Sequence, residues 1–586
     1  MAKEEFSGAE IVLKALKDQG VDTMFGYPGG VTLPLYDEIY KQNALRHVLT
    51  RHEQGALHAA EGYARSTGKV GVALVTSGPG ATNTVTGLTD AMMDSIPLVC
   101  LTGQVPTQLI GNDAFQEADI TGITRSCTKH NYLVKDTANL ARVLHEAFFV
   151  ARNGRPGPVV VDLPKDVLMG HAAYIPPAKA KPRSYNPRVK GDARQIEKAV
   201  KMMAKAKRPI VYAGGGVINS GPNACRLLAE LVHKTGFPCT LTLMGLGAFP
   251  ASDKQFLGML GMHGTYEANM AMYESDLIVC IGARFDDRVT GTISGFAPHA
   301  QKIHVDIDPS SINKNVLVDV PIVGDAGYVI EDMLKVWKSL QGETDAKAMK
   351  AWWKTVEGWR ARKCLAYKKD GKLAKPQFVL EELRDLCRGK DAYFVTDVGQ
   401  HQMWSAQYLD LEEPNRWMTS GGLGTMGYGL PAALGVQIAH PNAIVACVSS
   451  ECSIQMNLQE FATAVQYKLP VKVVLLNNGF MGMVRQWQEL FYGERYSESR
   501  MDVHPDFVKL ADAFGALGLR ANTPGEVRGV LEKMLKHDGP VIVDVRIDPT
   551  ENVFPMIPAG HAHNDMILGP GDTDVTSGDE EDVVLA

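Results

Sequence analysis

Polar side chains that suit a hard cation follow two apolar runs in the last third of the chain. Glu451 comes shortly after the run 443–449, and Asn478 follows the next run, 471–477. If these runs are neighbouring parallel strands, their carboxyl ends meet at one edge of a sheet. A carboxylate with an amide oxygen suits Mg²⁺, which completes its shell with ligand phosphates. A helix predicted after Ser453 would add N–H donors for a diphosphate.

A second candidate is Glu53, at the start of a predicted helix, where the helix dipole favours a carboxylate. Small residues follow it, including Gly55 and Ala56, so we expect something large to pack against this face. A simple capping glutamate would give the same local pattern. The glycine-rich stretch 76–83 suits a phosphate, another subunit's backbone, or only a tight strand–helix turn.

The middle of the chain carries weaker signals of a nucleotide site. Gly214, Gly215 and Gly216 follow a predicted strand and resemble half of a dinucleotide fingerprint without being GxGxxG. The segment 284–291 places four charges around one phenylalanine just beyond another strand, where ligands of open α/β sheets bind. Asp306 ends a third strand, where it could accept a bond from a ribose hydroxyl or cap the next helix.

The elements that must position these residues follow from alternating apolar runs and amphipathic stretches. This pattern is typical of parallel sheets covered by helices on both faces. We predict an α/β protein of three doubly wound parallel-sheet domains, 1–170, 191–340 and 376–548, with a linker at 170–190, a charged helical arm at 341–375 and a solvated or lid-like tail at 549–586. The predicted helices of the first domain are 8–19, 52–67 and 80–92. The predicted strands are 23–27, 71–76, 97–103, 158–163, 209–213, 276–281, 302–307, 392–397, 443–449, 471–477 and 540–545.

Composition excludes several classes of protein. The chain has 586 residues and a net charge of −6, so no basic excess attracts nucleic acid or anionic lipid. No apolar run approaches the roughly 20 residues that span a bilayer. The nine cysteines form no CxxC pair, which argues against zinc and disulfide sites. The N-terminus lacks the apolar core of a signal peptide. We therefore expect a cytoplasmic protein with no nucleic-acid or membrane partner.

Several motifs together resemble one family, the catalytic subunits of acetohydroxyacid synthase (acetolactate synthase), which use thiamine diphosphate. The resemblance covers about residues 4–568. The motifs are YPGG at 27–30, RHEQGA at 51–56, SGPGATN at 77–83, GQVPT at 103–107, DAFQEAD at 113–119, GMHGT at 261–265, RFDDRVTG at 284–291 and MVRQW at 483–487.

The resemblance implies an N-terminal pyrimidine-binding, a central FAD-binding and a C-terminal diphosphate- and Mg²⁺-binding domain. It implies a homodimer or homotetramer with the cofactor between two subunits, and a possible small regulatory subunit. The implied reaction decarboxylates pyruvate and joins the remaining two-carbon unit to a second 2-ketoacid. Pyruvate as acceptor gives 2-acetolactate, and 2-ketobutyrate gives 2-aceto-2-hydroxybutyrate, both for branched-chain amino acid biosynthesis.

The resemblance also implies roles for single residues. Glu53 would hydrogen-bond the aminopyrimidine, Gln104 would lie near the reacting centre, Arg288 would bind the acceptor carboxylate and Trp487 would favour the larger acceptor. The other implied contacts are Gly399, Gln400, His401, Gly424, Met426, Ser450, Cys452 and Ser453 for thiamine diphosphate; Glu451, Asn478 and Phe480 for the metal; Gly214, Gly215, Gly216, Thr242, Met244, Gly261, His263 and Asp306 for a structural FAD; and Gly30, Phe115, Lys129, Met262 and Asp287 for the substrate channel.

One triplet departs from the family pattern. The family has Gly-Asp-Gly or Gly-Asp-Ala where this chain has Ser450, Glu451 and Cys452. Glutamate is one methylene longer than aspartate, and Mg²⁺ tolerates little displacement. We therefore predict weakened metal and cofactor binding. Two alternatives stay open: a homologue with a structural or regulatory role, and a sister enzyme such as a pyruvate oxidase or glyoxylate carboligase. Arg288 and Trp487 favour the synthase.

Overall fold

The computed structural model describes residues 4–340 and 344–572. Its N-terminal part is a six-stranded sheet in the order β3-β2-β4-β5-β7-β6, with every pairing parallel, and a short antiparallel pair of β1 with β8. The strands are β1 Glu5–Ser7, β2 Thr23–Tyr27, β3 Arg46–Leu49, β4 Gly71–Val75, β5 Leu98–Gln104, β6 His130–Leu133, β7 Pro158–Pro164 and β8 His171–Ala173. The helices are α1 Gly8–Asp18, α2 Leu33–Tyr40, α3 Glu53–Thr67, α4 Pro79–Thr82, α5 Val85–Asp94, α6 Ile120–Ile123, α7 Leu140–Arg152 and α8 Lys165–Met169.

The central part repeats this architecture with a parallel sheet in the order β11-β10-β9-β12-β13-β14. Its strands are β9 Pro209–Ala213, β10 Cys239–Leu241, β11 Phe256–Met259, β12 Leu277–Ile281, β13 Gln301–Asp306 and β14 Val320–Val323. The helices are α9 Ala193–Lys205, α10 Gly215–Asn219, α11 Pro222–Thr235, α12 Tyr266–Glu274, α13 Asp287–Thr290, α14 Ala326–Ser339 and α15 Ala346–Arg360.

The C-terminal part holds the third parallel sheet, ordered β16-β15-β17-β18-β20-β19. Its strands are β15 Ala392–Thr396, β16 Trp417–Met418, β17 Ile444–Ser449, β18 Lys472–Asn477, β19 Leu517–Ala521 and β20 Val541–Arg546. The helices are α16 Pro376–Cys387, α17 Gln400–Tyr408, α18 Gly429–Ala439, α19 Glu460–Gln466, α20 Gly482–Phe491, α21 Phe507–Ala513 and α22 Pro524–Lys536.

Three parallel sheets flanked by helices confirm the predicted fold class. The central strands are buried on both faces, which explains why they are continuous apolar runs. Within residues 4–340 and 344–572, no helix has the length and apolar character needed to cross a membrane.

One predicted helix differs in detail. The stretch 80–92 is two helices, α4 and α5, with a break at Asn83 and Thr84. The Thr84 hydroxyl donates to the carbonyl of Ala81 at 2.6 Å, a local bond that competes with the regular helix ladder.

Close packing of α3 against α18 joins the N-terminal and C-terminal parts. A Cβ built on Gly62 would lie 2.1 Å from the carbonyl oxygen of Ala432, and one on Gly435 would lie 1.8 Å from that of Ala59. Larger side chains would force the two helices apart, so these glycines let the backbones touch. The small residues after Glu53 therefore do have a large partner, since α18 packs along this face.

The described part of the tail after β20, residues 547–572, contacts the central part of the chain. The N–H of Ile557 donates to the carbonyl of Met262 at 2.8 Å, and the backbones of Met556 and Ile567 pair with each other. The tail therefore packs on the central part. The acidic end of the chain, 573–586, lies outside the described residues.

Candidate active site

Glu451 lies at the carboxyl edge of the third sheet, where the adjacent parallel strands β17 and β18 end. Its side chain is fully buried. Oε1 accepts bonds from the backbone N–H groups of Gly479 at 2.7 Å and Phe480 at 3.0 Å. Oε2 is buried and has no hydrogen-bond partner among the residues that the structure describes. Burial raises the pKa of this carboxyl to about 7. An unpaired buried carboxylate oxygen at a strand end is a ready ligand for a cation.

Asn478 lies beside Glu451, as the strand pattern predicts. Its Oδ1 accepts a bond from the N–H of Phe480 at 3.0 Å. Its Nδ2 donates to Oε1 of Gln400 at 3.4 Å. Gln400 in turn donates to Oε1 of Gln486 at 2.9 Å. The amide is thus oriented by a network that joins β18 to α17 and α20.

The residues around Glu451 form a turn that is bonded to its neighbours. The Ser450 hydroxyl accepts from the N–H of Ser453 at 3.2 Å, and the Cys452 thiol donates to the carbonyl of Phe480 at 3.5 Å. Burial raises the pKa of that thiol to about 12.

The helix predicted after Ser453 is wrong in type: residues 454–456 form a three-residue 3₁₀ helix, and α19 begins only at Glu460. Asn457 donates to the carbonyl of Gly427 at 2.8 Å, which turns the chain there.

The glycines near this turn leave the backbone uncovered by side chains. Gly399 precedes α17 with a φ of 144°, and Gly424 has a φ of 75° with no atom nearer than 3.9 Å to a built Cβ. Met426 is half-buried on the same loop. His401 is buried, burial lowers its pKa to about 3, and its Nε2 has no partner. Backbone without side chains, next to an unpaired buried nitrogen, is suited to close contact with a ligand.

Glu53 is the first residue of α3 and is almost fully buried. Its Oε2 accepts a bond from Nδ2 of Asn83 at 3.0 Å. A Cβ built on Gly80 would approach its Oε1 to 3.2 Å. The motif at 77–83 therefore contacts Glu53, a relation that chain distance does not reveal.

Gln104 ends β5, and both the nitrogen and the oxygen of its side-chain amide are hydrogen-bonded. Its Nε2 donates to Oδ2 of Asp162 at 3.0 Å and to the carbonyl of Ala118 at 2.9 Å, and its Oε1 accepts from the N–H of Val105 at 2.8 Å. Burial raises the pKa of Asp162 to about 7. Asp162 could not be singled out from the sequence, because it lies within the apolar strand β7.

A cavity of about 1530 Å³ lies where the central and C-terminal parts meet, and residues 93–95 and 152–156 of the N-terminal part also line it. It brings together residues that the family resemblance assigns to FAD, to thiamine diphosphate and to the substrates. Its lining includes Gly215, Gly216, Thr242, Met244, Met262, His263, Asp287, Arg288, Asp306, Gly399, Gly424 and Trp487. This volume exceeds that of ordinary ligand pockets, which are roughly 300–1,000 Å³. It can hold a ligand of dinucleotide size.

Several lining residues have defined environments. Asp306 ends β13, accepts a bond from the N–H of Asp308 at 2.8 Å, and has a pKa raised to about 6 by burial. Burial lowers the pKa of His263 to about 4. Oγ1 of Thr242 is buried without a partner. By contrast, Gly214 and Gly261 pack against backbone atoms and do not line the cavity.

Arg288 and Trp487 face this cavity from two elements. Arg288 lies on α13, its side chain is 55% exposed, and its Nε is 3.5 Å from Oδ2 of Asp287. Trp487 lies on α20 and packs against Phe491 with ring centroids 5.2 Å apart. A guanidinium and an indole at one opening suit a small anion that carries an apolar group.

Other predicted residues lie elsewhere in the chain. Glu53, Gly30, Phe115 and Lys129 do not line the cavity. Phe115 is 88% exposed. Lys129 donates to the carbonyls of Val150 and, at 2.9 Å, Asn153, and burial lowers its pKa to about 7. Glu451, Asn478, Gln400 and His401 do not line the cavity either, so it holds only part of the predicted site residues.

Comparisons with known proteins agree with this geometry. Three family descriptions match: "Thiamine pyrophosphate enzyme, N-terminal TPP binding domain" at residues 6–123, the corresponding central domain at 196–333 and the corresponding C-terminal TPP binding domain at 397–545.

Relatives match over nearly the whole chain. The acetolactate synthase isozyme 3 large subunit of Escherichia coli is 51% identical over 96% of this chain and 99% of its own length. The large subunit of Haemophilus influenzae is 49% identical over 96% and 98%, and the acetolactate synthase of Mycobacterium bovis is 48% identical over 97% and 93%. The chain therefore belongs to the acetolactate synthase family of thiamine pyrophosphate enzymes.

Proposed function

We propose that this chain is the catalytic subunit of an acetohydroxyacid synthase that decarboxylates pyruvate and joins the two-carbon unit to a second 2-ketoacid. The observation that carries the proposal is the unpaired, buried Oε2 of Glu451 beside Asn478, in a chain of this family. The products are 2-acetolactate from pyruvate and 2-aceto-2-hydroxybutyrate from 2-ketobutyrate.

The residues present fit Mg²⁺ and thiamine diphosphate. Glu451 and Asn478 would supply side-chain oxygens to the metal and Phe480 its carbonyl, while Gly399, Gln400 and His401 would hold the diphosphate. When bound, thiamine diphosphate would supply a carbon nucleophile and a ring that can accept electrons during decarboxylation. Glu53 would hold a proton at the pyrimidine, and its burial beside Asn83 keeps its carboxylate in one orientation.

Two copies of the chain would complete each site. The family resemblance implies a cofactor between two subunits, and the position of Glu53 outside the cavity that contains Gly399, Gly424 and Trp487 supports a site completed by the Glu53 of a second copy. The proposed smallest active unit is therefore a homodimer, and a homotetramer would pair two of them. Relatives named as large subunits support a small regulatory partner as well.

FAD is the proposed occupant of the deep part of the cavity. The unpaired Oγ1 of Thr242 and the buried carboxylate of Asp306 provide polar partners for a dinucleotide, and Gly215 and Gly216 provide open backbone. Its role here is structural, since the proposed reaction has no net electron transfer.

Arg288 and Trp487 would select the acceptor. The exposed guanidinium can bind the acceptor carboxylate through two parallel hydrogen bonds. Trp487 would pack against the additional methyl group of 2-ketobutyrate. One methylene is worth only about 1–3 kcal/mol, so this contact gives a preference for the larger acceptor and does not exclude pyruvate.

Product analysis tests the proposal. Purified protein with Mg²⁺, thiamine diphosphate and FAD is given pyruvate alone or pyruvate with 2-ketobutyrate. We expect 2-acetolactate in the first case, mainly 2-aceto-2-hydroxybutyrate in the second, and no product without thiamine diphosphate. Oxygen consumption with acetate as product would instead identify a pyruvate oxidase. No turnover at saturating cofactor would support a structural or regulatory role.

A further inference from the structure

Glu460, the first residue of α19, is a buried carboxylate to which no function has yet been assigned. Its Oε1 accepts bonds from the backbone N–H groups of Arg51 at 2.8 Å and His52 at 2.9 Å. Its Oε2 accepts from the Thr463 hydroxyl at 2.8 Å. A side chain of the C-terminal part therefore holds the two residues that immediately precede Glu53.

The glycine of the RHEQGA motif is explained by this contact. A Cβ built on Gly55 would lie 2.5 Å from Oε1 and 2.8 Å from the carboxyl carbon of Glu460. Real Cβ atoms do not approach so closely, so any larger residue would displace Glu460 or the start of α3. The carboxylate also lies at the N-terminus of α3, where the helix dipole favours negative charge.

The residues before Arg51 have anchors of their own, since the N–H of Leu49 donates to the Tyr467 hydroxyl at 2.8 Å and the N–H of Thr50 donates to the carbonyl of Gly26 at 3.1 Å. The Nδ1 of His52 accepts from the N–H of Gln54 at 3.1 Å, a bond within the same turn. The guanidinium of Arg51 is bonded to the carbonyls of Leu49 and Thr50 and to Gln466. Glu460 thus accepts the backbone N–H groups of both Arg51 and His52, so it fixes the backbone from which Glu53 extends, while Asn83 holds the Glu53 carboxylate itself.

We propose that Glu460 is a positioning residue, which orients the Glu53 carboxylate by fixing the backbone of Arg51 and His52. This inference rests on the proposed role of Glu53. Catalytic groups are sensitive to placement, since a displacement of about 1 Å can reduce the rate by about 10²-fold. The same carboxylate belongs to the segment that leads from Glu451 through Asn457 to α19. It therefore ties the start of α3 to the chain segment that carries the proposed metal ligand.

A purely structural role would also make Glu460 sensitive to mutation, so the test must separate the two. Glu460→Ala removes the acceptor for both N–H groups, whereas Glu460→Gln keeps a carbonyl oxygen that can accept them. Gly55→Ala leaves the carboxylate chemically intact but displaces it. Gly525→Ala is the matched glycine control, because a Cβ at that position in α22 meets no atom within 4 Å.

The decisive experiment is a double-mutant cycle between Glu460→Ala and Glu53→Gln, measured as acetolactate formation by the full-length protein with Mg²⁺ and thiamine diphosphate. We expect Glu460→Ala to lower kcat by about 10–100-fold with little change in the KM for pyruvate. Gly55→Ala should act in the same direction, while Glu460→Gln should retain most activity. In the Glu53→Gln background, Glu460→Ala should add less than about twofold.

Two further readouts need no turnover. Hydrogen exchange of the amides at 51–55 should accelerate in Glu460→Ala and not in Glu460→Gln. Thiamine diphosphate affinity by calorimetry should stay within about threefold of wild type. An equal rate loss in both Glu53 backgrounds would overturn the inference, as would unchanged exchange at 51–55. A fully active Glu53→Gln enzyme would instead overturn the proposed role of Glu53, and the positioning role with it.

Discussion

The two oxygens of the Glu451 carboxylate have different surroundings. Oε1 already accepts two backbone N–H bonds from the loop after β18, and only Oε2 is left for a cation. The neighbouring Cys452 thiol donates to the carbonyl of Phe480, which is itself a proposed metal ligand. Both contacts reduce what the site can offer to Mg²⁺, which prefers near-ideal octahedral geometry.

Restoring the family triplet should therefore strengthen metal binding. In the variant Ser450→Gly, Glu451→Asp, Cys452→Gly, we expect the Mg²⁺ concentration for half-maximal activity to fall by about 10-fold, equivalent to ~1.4 kcal/mol. The apparent affinity for thiamine diphosphate should rise with it. The measurement is a titration of activity, paired with Mg²⁺-induced change in Tm. Saturation of the unaltered enzyme at ordinary low metal concentrations would contradict this prediction.

Some residues of the candidate site could be predicted from their type and position in the sequence, and others could not. Glu451, Asn478 and Glu53 could be singled out because they follow strands or open a helix. Glu460 and Asp162 could not, since their burial and partners depend on contacts between distant segments. The ammonium group of Lys129 bonds the carbonyls at the end of α7, and the channel role that the resemblance implies for it stays a prediction.

At the scale of elements, the short helix α13 depends on the tail for its position. Nε2 of His563 donates to the carbonyl of Val289 at 2.7 Å, and the carbonyl of His561 accepts from the N–H of Thr292 at 3.1 Å. Val289 follows Arg288 directly. The tail thus supports the segment that carries the proposed acceptor-binding arginine.

Removing this support should weaken acceptor binding. His563→Ala leaves the Val289 carbonyl unpaired, which we expect to cost about 1–3 kcal/mol of stability and to raise the KM for the acceptor 2-ketoacid several-fold. His537→Ala, an exposed histidine at the end of α22, is the control. Unchanged KM and Tm in His563→Ala would contradict the supporting role of the tail.

The same contact has a predictable pH dependence. Burial lowers the pKa of His563 from 6.5 to about 4, so the folded state prefers the neutral ring. Its stabilisation is fully present above pH 6.5 and is lost as the pH falls towards 4, because the unfolded chain takes up the proton first. The Tm difference between wild type and His563→Ala should therefore narrow over this range.

The three sheets could be predicted because their central strands are long apolar runs between amphipathic helices. The edge strands β3, β6 and β16 could not, since β3 and β6 are short and partly polar, β16 has only two residues, and all three pair with a neighbouring strand on one side only. The 3₁₀ helix after Ser453 could not be predicted either, since Asn457 at its end bonds the carbonyl of Gly427, which is distant in the chain.

At the scale of the whole molecule, we propose that each site is shared between two copies of the chain. Glu53 is held at the junction of α3 and α19, whereas Gly399, Gly424 and Trp487 share the large cavity. Closed two-fold assembly would place each half against its complement on a second copy. Chain length and composition give no indication of this division, whereas the family resemblance implies a cofactor between two subunits.

Co-expression of two inactive variants tests this account most directly. Glu53→Gln destroys one half of the site and Asn478→Ala the other, so each homodimer should be nearly inactive. In a mixed dimer one of the two sites is wild type, and random pairing should restore about a quarter of wild-type acetolactate formation. Activity no greater than the sum of the two separate variants, in a sample in which mass spectrometry shows mixed dimers, would contradict a site shared between chains.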